Sequence, residues 1–184
     1  MKATYEEYPY YAKNSQKTKF ITPKIKEAIR EIMADNNRTT LFDIGYEGKS
    51  LEGYLNLLIT NNIKVLVDVR KNPISMKYGF SKNILAKRAG DLKIEYMHIP
   101  ELGIDSDKRK SLNSSEDCQN LFADYESKIL PQNVKSVEKV YDILKQNKRI
   151  ALTCFEADKN YCHRYRVVKF MNAIYPDKFA MEHL

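Results

Sequence analysis

The chain is short of cysteine, of long apolar runs and of repetitive sequence, and each shortage excludes something. Cys118, Cys154 and Cys162 are its three cysteines. That number is too small and too odd for the disulfide framework of a small secreted domain, so a reducing compartment is expected. No apolar run approaches the ~20 residues needed to span a bilayer, and no membrane partner is expected. The opening stretch MKATYEEYPYYAKNSQK lacks the apolar segment of a signal peptide, so the expected location is cytoplasmic. Internal repeats and low-complexity tracts are missing as well. Few aromatics interleave with the basic residues in the middle of the chain, which argues against a stacking platform for single strands.

What the chain does have is 43% hydrophobic residues in a length of 184, arranged in periodic segments that can build a core. The net charge of +7 is unevenly spread. Residues 64–93 carry eight lysines and arginines against Asp68 and Asp91, whereas residues 94–144 carry ten acids against six bases. A basic centre beside an acidic segment fits an anionic partner, or lysines that only keep the surface solvated.

The first 38 residues read as an extension with one helix: Thr22 as cap, Pro23 at the first helical position, and Ile25, Ala28, Ile29, Ile32 and Met33 on one face. From residue 39 to 184 strands and helices alternate. TTLFDIG reads as a strand, and Ser50 caps a helix with Leu51, Tyr54, Leu55, Leu58 and Ile59 on one face. IKVLVDVR has the continuous apolar character of a strand buried on both sides. A helix over 81–89 stops at Gly90, and LKIEYMHIP is the next strand. Helices around 117–128 and 136–146 lead to the strand RIALTCF, a helix over 160–174 and a last strand in FAMEHL. This alternation predicts an α/β fold, a Rossmann-like three-layer sandwich with a mostly parallel sheet.

In such sheets ligands bind beyond the carboxyl ends of the strands. Those ends carry Gly45-Tyr46-Glu47, Asp68 and Arg70, Tyr96 and His98, and Cys154 and Glu156. Polar groups thus gather where the chain leaves each strand. GYEGKS lacks the first glycine of a Walker loop, because Asp43 stands there, so a turn before a capped helix explains it. Asp68 and Arg70 alternate along a strand and face the same way. They either pair with each other or present the guanidinium fork to phosphate or carboxylate.

The segment CFEADKNYCHRYR, residues 154–166, reads as a strand end, a turn and a helix start, with Asp158 or Asn160 as cap. Cys162, His163 and Arg164 then share a first turn, where the helix dipole and the neighbouring cations favour a thiolate at Cys162. Cys154 is either a second reactive group or a small core residue. No metal or other cofactor is expected. The spacing C-x7-C-H has no short C-x2-4-C hook, and only Glu156 or His98 could supply a fourth ligand. A disulfide between Cys154 and Cys162 fits a reducing compartment equally poorly.

Several of these stretches together resemble the domain-of-unknown-function 488 family of bacteria and archaea. They are IGYEGKSLEGYLNLL, VDVRKNPIS, YGFSKNIL, IEYMHIPELG and ALTCFEADKNYCHR, in the family's order over about residues 40–166. The resemblance implies a Rossmann-like α/β fold and a polar site. It falls on Gly45, Asp68, Arg70, Pro73, Ser75, Leu102, Gly103, Cys154, Glu156, Cys162, His163 and Arg164. Many relatives carry arginine after the serine of N-P-x-S, where this chain has Met76, with Lys77 next to it. The family's activity is not established, so the resemblance implies a site rather than a reaction.

The reading that follows is an enzyme acting on an anionic small molecule, nucleotide or phosphate-like. Cys154, Glu156, Cys162 and His163 are the candidate catalytic residues, and Asp68, Arg70, Ser75, Tyr96 and Arg164 the candidate substrate-binding residues. The alternatives are a nucleic-acid-binding or accessory module using the basic centre, or a non-catalytic interaction protein. Nothing in the sequence sets the oligomeric state.

Overall fold

The computed structural model describes residues 38–109 and 115–184. The helix expected within residues 1–38 lies outside them. The elements in chain order are β1 (Thr40–Gly45), α1 (Leu51–Thr60), β2 (Val65–Asp68), α2 (Lys82–Asp91) and β3 (Glu95–His98). They continue with α3 (Ser115–Asp124), α4 (Val134–Asn147), β4 (Arg149–Cys154), α5 (His163–Ile174) and β5 (Ala180–His183).

Local chemistry explains most boundaries. The Ser50 hydroxyl accepts the Gly53 N–H at 3.1 Å and starts α1, which buries Leu51, Tyr54, Leu55 and Leu58. Helix α2 buries Leu85 and Ala89 and runs through Gly90 to Asp91 instead of stopping at the glycine. The two helices expected between β3 and β4 are nearly continuous. Helix α3 passes into a π-helical stretch, Tyr125–Ile129, and one further turn, Leu130–Gln132, before α4 begins.

Among the described residues five strands form one parallel sheet in the order β3-β2-β4-β1-β5. Its two faces carry separate cores, because side chains alternate along each strand. On one face Phe42, Ile44, Leu66 and Ala151 pack under α1 and α2, joined by Tyr46 and Phe80. On the other, Leu41, Val65, Val67, Ile150 and Leu152 pack under α4 and α5, with Val137, Val140, Val167 and Met171. The expected three layers and parallel sheet are present. The position of β4, between β1 and β2, is something the element order could not specify. Among the described residues no helix is long and apolar enough to cross a membrane.

That insertion positions the site. The chain following β1 and β2 goes to helices on one face, and the chain following β4 goes to α5 on the other. A crevice therefore opens at the carboxyl ends of β1, β4 and β2, the switch point where α/β sheets take ligands. The register aligns Gly45 with Cys154 and Asp68 with Thr153.

Candidate functional site

A cleft of about 480 Å³ lies at this end of the sheet. Of the residues expected to act, Arg70, Ser75, Cys154 and Glu156 line it, together with Tyr46, Lys71, Asn72, Lys77 and Phe155. Asp68, Tyr96, Cys162, His163 and Arg164 do not line it. The loop after β2 supplies one rim. Its Ser75 hydroxyl accepts the Lys77 N–H at 3.2 Å, and the Lys77 ammonium donates to the Tyr46 carbonyl at 2.9 Å. Close packing fixes the other approaches. A Cβ on Gly45 would lie 1.8 Å from the Glu156 carbonyl oxygen, and one on Gly103 2.1 Å from the Lys71 nitrogen. Only glycine lets these backbones touch.

Asp68 and Arg70 pair with each other. The guanidinium donates through Nε at 2.9 Å to Oδ1 and through Nη2 at 2.5 Å to Oδ2. Nη1 donates to the Tyr46 hydroxyl and to the Phe80 carbonyl at 2.8 and 2.9 Å. Tyr96 donates its hydroxyl to Asp68 Oδ2, and His98 donates Nε2–H to the Arg70 carbonyl at 2.8 Å. Burial first, then the Asp68 carboxylate, holds the Tyr96 phenol well above its ordinary range. The Arg70 guanidinium faces a burial penalty, but its bonds to Asp68 outweigh it and keep the charge in place. The fork geometry expected to meet a ligand is thus satisfied within the fold.

The other cluster joins the two ends of the segment 154–166. Cys154 closes β4, and Cys162, in extended conformation with φ −129°, stands between a 3-10 turn, Lys159–Tyr161, and α5. Helix α5 therefore begins at His163, later than expected, and Asp158 caps the 3-10 turn by accepting the Asn160 N–H at 2.8 Å. The break matters because an extended Cys162 and a helical His163 can turn toward the same point. Both thiols donate toward Glu156 Oε2, Cys162 at 2.9 Å and Cys154 at 3.3 Å. His163 Nδ1 lies 3.7 Å from the Cys154 sulfur, and its Nε2–H donates to the Val69 carbonyl at 3.0 Å.

The cluster corrects one expectation. Position at a helix start was expected to lower the Cys162 pKa. Burial instead pushes the thiol well up, Cys154 and Glu156 add to the rise, and Arg164 only partly opposes it. Arg164 itself divides its donors between the Cys162 thiol and the fold around it. Its Nε donates to Asp43 Oδ1 at 2.9 Å, and Nη1 and Nη2 donate to the carbonyls of Glu156 and Ala157. The same Asp43 oxygen accepts from His183 at 2.8 Å. An anion contact was expected of Arg164, but with 0% exposure it is a brace for the loop carrying Glu156.

Sequence reading passed over Asp43, Tyr46 and Lys77 as site residues. Asp43 had a usable signal, since a carboxylate inside the apolar run TLFDIG needs a buried cation. Tyr46 stood among the strand-end residues and Lys77 beside Met76, but their roles depend on how the loop after β2 folds back over β1.

No curated protein and no solved structure matches the chain. A family model does match, over residues 50–171. That span runs from the cap of α1 into α5 and includes Asp68, Arg70, the cleft residues from Lys71 onward and the Cys154–His163 cluster. The chain belongs to the family described as Domain of unknown function DUF488.

Proposed function

We propose that this protein is an enzyme whose cleft takes an anionic small molecule, nucleotide or phosphate-like, with the Cys154–Glu156 wall turned to its reacting group. One observation carries the reading. A cleft at the switch point of a parallel sheet is lined by Lys71, Lys77, Ser75 and Asn72 on one side and by Cys154 and Glu156 on the other. Asp68 with Arg70, and Asp43 with Arg164, neutralise each other as buried pairs. Lys71 and Lys77 are then the cations that meet the anion, and Arg70 and Tyr46 form the floor beneath it. Lys49 adds to the same field: burial, followed by repulsion from Arg164 and Lys77, lowers its pKa. Cys162 and His163 act from behind the wall by holding Glu156 and Cys154 in place.

Calorimetric titration with inorganic phosphate and with a nucleoside monophosphate tests this. Lys71→Ala/Lys77→Ala should weaken binding at least tenfold, while Lys87→Ala, on the exposed side of α2, should leave it unchanged. Equal binding by the double variant, or no binding of either anion by the unmodified protein, removes the reading.

A further inference from the structure

The Cys154 cluster has a composition that hydrogen bonding alone does not call for. It places two thiols, an imidazole and a carboxylate around one point, and exposure is 1% at Cys154 and 0% at both Cys162 and His163. The sulfurs and the imidazole nitrogen all lie within 4.8 Å of one another. We propose that Cys154, Cys162 and His163 are ligands of a zinc-class divalent ion, with the Glu156 carboxylate as the fourth donor.

Three features of the geometry support the assignment. The first is spacing. Ligands at about 2.3 Å (sulfur) and 2.0–2.1 Å (nitrogen or oxygen) from a tetrahedral ion stand roughly 3.5–3.8 Å apart. Cys154 Sγ and His163 Nδ1 are 3.7 Å apart, and Glu156 Oε2 is 3.3 and 2.9 Å from the two sulfurs. The carboxylate edge to Cys154 is about 0.2 Å short of that range and the edge to Cys162 about 0.6 Å short, as thiol-to-carboxylate hydrogen bonds would make them.

The second is the orientation of the histidine. Its Nε2 lies 3.0 Å from the Val69 carbonyl, which accepts only a proton-bearing nitrogen. That fixes the tautomer and turns the Nδ1 lone pair toward Cys154, the outer-shell arrangement by which proteins aim a metal-ligating imidazole. The third is the loop. Arg164 holds the carbonyls of Glu156 and Ala157 from inside, and the Gly45 contact sets the same strand of backbone against β1. Glu156 is therefore delivered to the thiols by a braced segment. Soft thiolates with imidazole select zinc over magnesium or calcium, whose ligands are oxygens.

The site lacks the short C-x2-4-C hook because its ligands are joined through tertiary structure. Cys154 comes from a strand end, and Cys162 and His163 come from a helix start after a 3-10 turn. The assignment does not depend on an anion entering the cleft, since the ion would be held by residues 154–163 in either case.

Titration of the full, untagged chain with cobalt(II) tests it. We expect one equivalent to bind with an intense thiolate-to-cobalt charge-transfer band, and zinc to displace it. Cys154→Ser and Cys162→Ser should each lower affinity at least 100-fold, while Cys118→Ser should leave it unchanged. Failure of the band to appear at one equivalent, or full affinity in the Cys154→Ser/Cys162→Ser double variant, overturns the proposal. Should the variants not fold, X-ray absorption on the zinc-loaded native sequence decides. Two sulfurs near ~2.3 Å support the site, and a shell of oxygen and nitrogen alone overturns it. The titrations contain no phosphate or nucleotide, so their outcome is separate from that of the anion binding test.

Discussion

Two polar clusters stand at neighbouring strand ends, and they are built on opposite principles. At the end of β2, Asp68 meets Arg70 through paired hydrogen bonds, and Tyr46, Phe80, Tyr96 and His98 take up what remains. At the end of β4, groups that bind cations gather: two thiols, a carboxylate and an imidazole nitrogen. The Arg164 guanidinium interacts with Cys162 but gives its other donors to Asp43 and to backbone carbonyls. The first cluster is closed by its own charges, which is what a brace requires. The second is rich in electron-pair donors, which is what chemistry or an ion requires. In the sequence the first set reads as substrate-binding and the second as catalytic, although both follow an apolar run.

The comparison can be broken most directly at Asp68. Asp68→Ala leaves a guanidinium that is 5% exposed facing no carboxylate, and we expect a loss of about 3–5 kcal/mol in denaturant unfolding. Asp68→Ala/Arg70→Met should recover at least half of that loss, because no uncompensated charge is then buried. Additive losses would show that the pair does not act as a unit.

A smaller effect is expected where the clusters share a wall. Gly45→Ala puts a methyl group into the Glu156 carbonyl, and the backbone must move to relieve it. We expect about 1–3 kcal/mol of destabilisation and, because the displaced segment carries Glu156, a parallel weakening of cobalt binding. Unchanged stability would mean that the loop yields freely.

The smallest effect is alkaline. Burial raises the Tyr54 phenol above its ordinary range, although its hydrogen bond to Thr153, 2.7 Å long, works against the shift. Tyr96 is raised as well, by burial and by Asp68. Unfolded tyrosines ionise near ~10. The stability these phenols contribute is complete below that pH and is lost as pH rises toward the folded values, because there the unfolded chain binds fewer protons than the native one. Stability should therefore decline above pH ~10, and Tyr54→Phe should make the decline shallower while costing about 0.5–1.5 kcal/mol at neutral pH. An unchanged slope in the variant would place the alkaline loss elsewhere.

Much of this was legible in the sequence. The apolar runs ending at Gly45, Asp68 and Cys154 gave the strands and the polar gathering at their ends, and Ser50 gave the start of α1. The two-residue spacing of Asp68 and Arg70 put them on one face. Less visible was the break at Cys162, because nothing in KNYCHRYR distinguishes a helix that starts at 160 from a 3-10 turn followed by a helix at His163. That break brings Cys162 and His163 to Cys154, a convergence that the spacing C-x7-C-H offered but did not favour. The thiol pKa was misjudged for a related reason. Helix position is a local property, but burial is set by the whole fold, and Cys154 and Glu156 reach Cys162 only through the turn between them.

The sequence by itself determined an alternating α/β chain with a parallel sheet, because the period of apolar residues is a local property that each segment carries alone. It also determined which residues would stand at strand ends. Only the tertiary structure decided that β4 lies between β1 and β2, and so which strand ends become neighbours. Strand order depends on how helices on two faces bury their apolar sides together. No single segment encodes that sum, and it sets Arg70 against Tyr46 and His163 against the Val69 carbonyl.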